Sequence, residues 1–371
     1  MKTFGELANA WVSRLEVYEP GLPIEELARQ LGLRDARRIV KLASNENPLG
    51  PSPAAVRAMR RAAAQMHRYP DGGAFYLGRA LARRLRVAPD QLIVGCGSNE
   101  ILELIGHVFL DAGCSVVISE HAFVVYRMVA EMFRARPIVV PMRNFTHDLG
   151  AMLAAMEADT RVVFIGNPNN PTGTMVRPAD LDRFVRAVPE HVITVLDEAY
   201  VELVPAALRP DALRYVREGR KVIVLRTFSK TYGLAGVRLG YGVAPSEAIA
   251  LLQRVRQPFN TTAMAQAAAL AALDDAAHVR RTRRVVQSGL RCLAAGCRRL
   301  GLEYVPAVAN FMLVKVGDGR RVFEALCRRG VIVRPMDGYG LPQYVRVTVG
   351  TPRENRRFLA ALAQVLGTGK A

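Results

Sequence analysis

Lysine is rare in this chain, and one lysine stands where an amine could react with a carbonyl. Arginine and lysine together number 51, and only six of these residues are lysine. Lys230 follows the apolar run 222–225, lies between hydroxyl residues and precedes a glycine-rich turn. A lysine amine can lose its proton and attack an aldehyde, whereas an arginine guanidinium stays protonated. Lys230 is therefore a Schiff-base candidate; the alternative is a surface lysine whose amine reaches solvent.

Four loop motifs, including the one with Lys230, each follow a short β-branched run. They occupy residues 95–100, 166–173, 197–200 and 227–230. In open α/β sheets, ligands bind beyond the carboxyl ends of the strands. The four motifs are therefore predicted to meet at one edge of a sheet.

Together these motifs fit a phosphorylated pyridine aldehyde. Lys230 would bind the aldehyde, and Asp197 would keep the ring nitrogen protonated so that the ring withdraws electrons. Asn170 and Tyr200 would donate hydrogen bonds to the ring hydroxyl oxygen, and Phe123 would stack on the ring. The phosphate would be held by Gly97, Ser98, Asn99, Thr227 and Arg238.

Most of these residues also have a plainer structural explanation. Asp197 could cap a turn, Asn170 could belong to an ordinary proline-containing turn, and Phe123 could be a core aromatic. The loop 95–100 could be a simple strand-to-helix turn. It departs from the dinucleotide-binding fingerprint, because Glu100 stands where a glycine or alanine is expected.

The elements that must position these residues follow an α/β pattern. From about residue 90, short β-branched runs alternate with segments of helical spacing, which favours a mostly parallel sheet. From about residue 261 the pattern changes to a smaller α+β domain. We predict an N-terminal arm together with part of the small domain (1–45), a large domain that holds the ligand (46–260) and a small C-terminal domain (261–371).

Composition excludes several other classes of protein. The formal net charge of +18 could indicate nucleic-acid binding, but the arginines are spread along predicted helices without a basic tail. We expect no nucleic-acid partner. The sequence has no apolar run long enough to span a membrane and no signal-type segment. Its five scattered cysteines favour reduced thiols over disulfides or a metal site. A cytoplasmic protein with neither a membrane partner nor a metal is predicted.

Ten short segments resemble, in order and spacing, the fold-type I pyridoxal-phosphate aminotransferases, and within them the histidinol-phosphate aminotransferase family. The likeness covers nearly the whole chain. The segments are 41–50, 68–71, 97–100, 167–173, 196–200, 227–230 with Arg238, 256–260, 310–311, 330–335 and 346–351. The resemblance implies a mostly parallel, seven-stranded-type sheet flanked by helices, a smaller α+β domain, and pyridoxal 5'-phosphate as cofactor.

The resemblance further implies transamination between L-histidinol phosphate and 2-oxoglutarate in histidine biosynthesis. Lys230, Asp197 and Tyr200 would be the catalytic residues. In a ping-pong mechanism, Lys230 would first hold the cofactor as a Schiff base and then move the Cα proton. The ordinary lysine pKa of about 10.4 must be depressed for this role. The sequence leaves the net shift open, since Arg238 and the phosphate act in opposite directions.

Substrate and subunit contacts are also implied by the resemblance. Arg346 would clamp the α-carboxylate of glutamate and meet the phosphate of histidinol phosphate, and Arg334 and Tyr18 would contact the substrate phosphate. Tyr69 would reach the cofactor phosphate of the neighbouring subunit, which implies a homodimer with shared active sites. The Asn170–Pro171 bond is expected to be cis.

Two kinds of rival function remain open. An aromatic amino acid aminotransferase of broad specificity, or a phosphothreonine decarboxylase-like lyase, would keep the fold and change the substrate. A pyridoxal-phosphate-binding transcription regulator would not be an enzyme. Such regulators resemble a helix-turn-helix module fused ahead of this fold, but here the aminotransferase pattern begins by about residue 40.

Overall fold

The computed structural model describes residues 1–17 and 20–367. Its strands are β1 Val40–Lys41, β2 Leu92–Gly95, β3 Ser115–Ser119, β4 Arg136–Val140, β5 Thr160–Gly166, β6 Ile193–Asp197, β7 Val222–Thr227, β8 Gly240–Val243, β9 Tyr304–Val305, β10 Phe311–Lys315, β11 Val331–Ile332, β12 Arg334–Pro335 and β13 Tyr344–Thr348. Its α-helices are α1 Phe4–Leu7, α2 Ile24–Gln30, α3 Pro53–Ala63, α4 Phe75–Leu85, α5 Ser98–Phe109, α6 Val124–Met132, α7 Leu149–Ala154, α8 Pro178–Ala187, α9 Leu213–Arg217, α10 Ser246–Val255, α11 Ala263–Asp274, α12 Ala276–Arg299, α13 Gly319–Cys327 and α14 Pro352–Leu366.

A seven-stranded sheet carries the predicted loop motifs. Its order is β2-β8-β7-β6-β5-β3-β4. The contacts from β7 through β4 are parallel, whereas β8 runs antiparallel to both of its neighbours. The predicted α/β class with a mostly parallel, seven-stranded sheet is confirmed.

The inner strands of this sheet are buried on both faces, whereas the edge strand β4 is only partly buried. Along β5, Val162 and Phe164 belong to one hydrophobic cluster, while Val163 and Ile165 belong to another on the opposite side. Side chains alternate between the two faces of a strand, so helices must cover both. This explains why the strand sequences are nearly continuous apolar runs.

A separate four-stranded antiparallel sheet has the order β12-β13-β10-β9. It packs with α12, α13 and α14 around a hydrophobic cluster of its own. The early strand β1 pairs in parallel with β11, which brings residues 40–41 beside the C-terminal part of the chain. Helix α11 instead packs closely on α3 and contributes to the core of the seven-stranded sheet. The division at residues 45 and 260 remains our proposal for the domain boundaries.

Residues 263–299 form two consecutive helices, α11 and α12. Helix α11 ends at Asp274, and Asp275 caps α12 by accepting a hydrogen bond from the backbone N–H of His278. An aspartate at this position satisfies an otherwise unpaired amide of the new helix, and this favours a break between the two helices. No helix of the described residues is long and apolar enough to cross a membrane.

Candidate active site

The predicted site residues converge on one cavity of about 290 Å³ beyond the carboxyl ends of β5, β6 and β7. The predicted residues that line it are Ser98, Asn99, Phe123, Asn170, Asp197, Tyr200, Thr227, Lys230, Arg238, Arg334 and Arg346. The parallel strands all deliver their following loops to this edge, as expected for an open α/β sheet. The cavity thus brings together the motifs that are far apart in sequence.

Lys230 presents its amine to this cavity. Its Nζ donates a hydrogen bond to the backbone oxygen of Ser44 over 3.2 Å. Burial, together with the positive charge of Arg346, lowers the pKa of Lys230 to about 8. Arg238 also lowers this pKa, whereas the carboxylates of Glu46 and Asp197 raise it. The amine is therefore far more often neutral near pH 7 than an ordinary lysine amine.

Asp197 ends strand β6 and is buried, with 6% of its surface exposed. Its Oδ2 accepts a hydrogen bond from the phenol of Tyr126 at 2.9 Å, and its Oδ1 accepts one from the backbone N–H of Ala199 at 3.1 Å. Burial raises the pKa of Asp197 to about 6 even though both donors oppose the shift. A positively charged group beside Asp197 would stabilise the ionised form of this buried carboxylate.

Tyr200 is buried, its ring centroid lies 5.8 Å from Nζ of Lys230, and its ring packs edge-on against Phe311. Its hydroxyl accepts a hydrogen bond from Nδ2 of Asn45 at 3.0 Å. Burial raises the pKa of Tyr200 to about 12, so the phenol keeps its proton at neutral pH. Tyr200 can therefore donate a hydrogen bond to an oxygen atom in the cavity.

The region of the cavity around the start of α5 and Arg238 can bind an anion. Helix α5 begins after Gly97, which has a left-handed φ of 79°, and its first turn includes Ser98 and Asn99. The guanidinium of Arg238 lies so close that a Cβ on Gly97 would be 2.6 Å from it. A Cβ on Gly240 would be 2.5 Å from the backbone nitrogen of Ser98. A helix N-terminus beside a guanidinium attracts a phosphate, and the two glycines permit the close approach.

A second positive region also lines the cavity. Arg346 is buried and donates to Oδ1 of Asn170 and, at 2.7 Å, to the backbone oxygen of Ala43. Arg334 faces Arg346 across the register of β12 and β13 and also lines the cavity. The Asn170–Pro171 bond is cis, as expected, and the Asn167–Pro168 bond is cis as well. The cavity therefore has two positive regions, one with Arg238 at the start of α5 and one with Arg346 and Arg334, and both Arg238 and Arg346 act electrostatically on Lys230.

Two of the described predicted residues, Gly97 and Tyr69, do not line the cavity. Gly97 lies beside Arg238, which does line it. Tyr69 lies on the surface, 83% exposed, with its ring stacked on Phe259 at 4.7 Å. Tyr18 falls outside the described residues.

The structure adds residues that sequence reasoning missed. Tyr126, which holds Asp197, stacks on Phe164 at 5.0 Å and is fully buried. It lies on α6, three residues after the N-cap residue Phe123, and this spacing was the available signal. The segment 43–45 was missed because it comes from the predicted arm. It contacts Lys230 through Ser44 and Tyr200 through Asn45.

A metal site is not part of this arrangement. Within residues 1–17 and 20–367, no cluster of three or more histidine, cysteine, aspartate or glutamate side chains could hold a metal ion. The donors in the two positive regions of the cavity are guanidinium, amide and hydroxyl groups, which suit anionic organic groups instead.

Comparison with known proteins places the chain in a family. The family model for aminotransferase class I and II matches residues 37–362. A histidinol-phosphate aminotransferase of Akkermansia muciniphila is 52% identical over 97% of this chain and 98% of its own length. Histidinol-phosphate aminotransferase 2 of Pseudomonas fluorescens strain Pf0-1 is 50% identical, with 99% of each chain covered.

A solved structure agrees with these relatives. The histidinol-phosphate aminotransferase of Sinorhizobium meliloti, in complex with pyridoxal-5'-phosphate, superposes with a TM-score of 0.86 at 29% identity. The match covers 94% of this chain and 96% of that one. The family expected from the sequence is thereby confirmed. The chain belongs to the class I and II aminotransferases and, among them, to the histidinol-phosphate aminotransferase family.

Proposed function

We propose that this aminotransferase uses pyridoxal 5'-phosphate to move an amino group between L-histidinol phosphate and 2-oxoglutarate, in histidine biosynthesis. The observation that carries the proposal is a single cavity lined by two positive regions and by a lysine amine whose pKa is lowered to about 8. The region with Arg238 suits the cofactor phosphate, and the region with Arg346 and Arg334 suits an anionic group on the substrate.

The donor set fits the cofactor group by group. Asp197 is buried where a carboxylate needs a cationic partner, and the protonated pyridine nitrogen would supply it. Tyr200 and Asn170 line the cavity where they would hydrogen-bond the ring hydroxyl oxygen, and Phe123 would cover the ring face. The phosphate would lie at the start of α5, beside Arg238 and the side chains of Ser98, Asn99, Thr227 and Ser229.

When bound, pyridoxal 5'-phosphate supplies an aldehyde that captures amines and a ring that withdraws electrons from the substrate Cα. Lys230 would present the amine that meets the aldehyde, and its neutral amine would be the base that moves a proton at Cα. With a pKa of about 8, roughly a tenth of these amines are neutral at pH 7. Asp197 would stabilise a positive charge on the ring nitrogen, and the hydrogen bond from Tyr126 orients Asp197.

The second positive region, which contains Arg346 and Arg334, suits substrates that carry a carboxylate or a phosphate. Arg346 would clamp the α-carboxylate of glutamate in one half-reaction and meet the phosphate of histidinol phosphate in the other. Arg334, opposite Arg346 in the register, would add a second contact to that phosphate. Tyr18 is proposed as a further phosphate contact.

We also propose that the enzyme is a cytoplasmic homodimer with shared sites. Tyr69 and Phe259 support the dimer. Their rings stack on each other, yet Tyr69 is 83% exposed and Phe259 is 47% exposed, so both rings face solvent in the single chain. Burial of exposed aromatic rings against a second copy would be favourable. Tyr69 would then reach the phosphate site of the neighbouring subunit.

The substrate is tested by comparing amine donors on the cofactor-loaded enzyme. We expect kcat/KM with histidinol phosphate to exceed that with phenylalanine, with glutamate formed from 2-oxoglutarate and no carbon dioxide released from phosphothreonine. Lys230→Ala is the control and should remove turnover with every donor. Faster reaction with phenylalanine would instead support a broad aromatic aminotransferase, and carbon dioxide from phosphothreonine would support a lyase.

A further inference from the structure

Glu100 places a negative charge one turn from the proposed phosphate site. It is the third residue of α5, directly after Ser98 and Asn99. A carboxylate near a bound dianion is electrostatically unfavourable, and a glycine or alanine at this position would avoid the repulsion. A role for this side chain must therefore come from its contacts.

One oxygen of Glu100 joins two separate parts of the chain. Its Oε2 accepts hydrogen bonds from the backbone N–H of Cys96 and, at 2.8 Å, from Nδ2 of Asn260. Nδ2 of Asn260 also donates to the backbone oxygen of Val94 at 3.1 Å. Nη1 of Arg256 donates to Oδ1 of Asn260 at 2.7 Å. The carboxylate thus ties the turn after β2 to the segment 256–260.

These contacts fix the turn that precedes the phosphate site. The backbone N–H of Gly97 bonds to the oxygen of Gly95, so the chain turns sharply between β2 and α5. Glu100 closes the same turn from the helix side by holding the N–H of Cys96. The backbone N–H groups in the first turn of α5 have no carbonyl partner within the helix. They can therefore donate hydrogen bonds to an anion at the helix N-terminus.

The negative charge is partly offset by its surroundings. The guanidinium of Arg256 reaches Glu100 through Asn260, and Arg238 lies beside Gly97 within the same turn. Both donors to Glu100 use Oε2, so a neutral carbonyl oxygen in its place could accept them as well. The geometry therefore needs the acceptor more than it needs the charge.

We propose that Glu100 is a positioning residue for the cofactor phosphate: its Oε2 joins Cys96 to Asn260 and so orients the first amides of α5. This inference rests on the proposed function, since it assumes a phosphate at that helix end. It predicts that removal of Glu100 weakens the phosphate contact selectively and leaves the rest of the cofactor site intact.

The experiment measures dissociation constants for pyridoxal 5'-phosphate and for pyridoxal, which lacks the phosphate, by absorbance titration. We expect Glu100→Ala to weaken binding of the phosphorylated form about tenfold, the effect of a lost hydrogen bond to a charged acceptor, and to change binding of pyridoxal less than about twofold. Glu100→Gln should stay within about threefold of wild type for both ligands, because its carbonyl oxygen replaces the acceptor.

Matched variants separate positioning from general damage. Glu103→Ala alters an exposed glutamate on the same helix, whose ion-pair partner is His107, and should leave both constants unchanged. Asn260→Ala removes the other partner of the Glu100–Asn260 hydrogen bond and should also weaken binding of pyridoxal 5'-phosphate more than binding of pyridoxal. This variant tests the inference even if Glu100→Ala does not fold. Equal weakening of both ligands, or a Gln variant as weak as the Ala variant, would overturn the inference.

Failure of the proposed function gives a different result. Wild-type protein that binds pyridoxal as tightly as pyridoxal 5'-phosphate would overturn the phosphate site itself. Wild-type protein that prefers the phosphorylated form, together with a Glu100→Ala variant that keeps the full preference, would overturn the positioning role alone.

Discussion

Replacing Asp197 by asparagine should stabilise the cofactor-free protein while removing most of its turnover. The substitution keeps the shape of the side chain and one acceptor oxygen for Tyr126 or Ala199. It removes a charge that the fold buries without a fully compensating partner, because burial raises the pKa of Asp197 from 3.8 to about 6. The carboxylate that the chemistry requires is therefore unfavourable for folding.

The magnitude follows from that shift in pKa. Two pKa units correspond to about 3 kcal/mol between the ionised and protonated states. The folded-state pKa lies above the unfolded value, so the cost is absent below about pH 4 and complete above about pH 6. The loss of one hydrogen bond in the variant offsets about 1 kcal/mol. A net gain of about 1–2 kcal/mol is expected at pH 7.5.

Urea unfolding of the cofactor-free proteins, followed by circular dichroism, measures this gain. The difference between Asp197→Asn and wild type should grow by about 1 kcal/mol from pH 5 to pH 7.5. Tyr126→Phe is a useful comparison, since it removes a hydrogen bond to Asp197 and leaves the carboxylate. An Asp197→Asn variant that is less stable than wild type at pH 7.5, or a difference independent of pH, would refute the reasoning.

Two further outcomes are expected. The rate of cofactor capture should rise with pH and level off above about pH 8, since Lys230 loses its proton near that value; a rate still rising at pH 10 would indicate an ordinary lysine. Mixed dimers of Lys230→Ala and Tyr69→Ala chains should regain activity that neither parent has, because one of the two sites then contains both native side chains. Inactive mixed dimers would contradict the shared site.

Much of the fold could be predicted because its strands are apolar on both faces. The runs at 162–165, 194–196 and 222–225 are buried between helices, and the residues after them, Asn170, Asp197 and Lys230, meet at one edge. Strand β8 was not predicted, since its glycines give it little strand propensity. Gly240 is needed there for the close approach of Ser98, a tertiary contact that no local pattern reveals.

The contacts of the candidate site were harder to predict than its members. Tyr126 appears in the sequence as one more aromatic on a helix, and its bond to Asp197 depends on how α6 packs beside β6. Asn45 is separated from Tyr200 by 155 positions. Partners so far apart are set by the assembled fold, so local spacing could indicate the catalytic groups and could not indicate what holds them.

The segment 43–45 also affects when the active site can form as the chain folds during synthesis. Its backbone and side chains meet Lys230 and Tyr200 on one side and Thr348 and Arg346 on the other, and the contacts of Asn45 with Thr348 span 303 positions. Contacts of such separation form late, because a long loop must close first. During synthesis the large sheet can assemble while the pocket still lacks its wall, and the cofactor site becomes complete only when β13 has emerged.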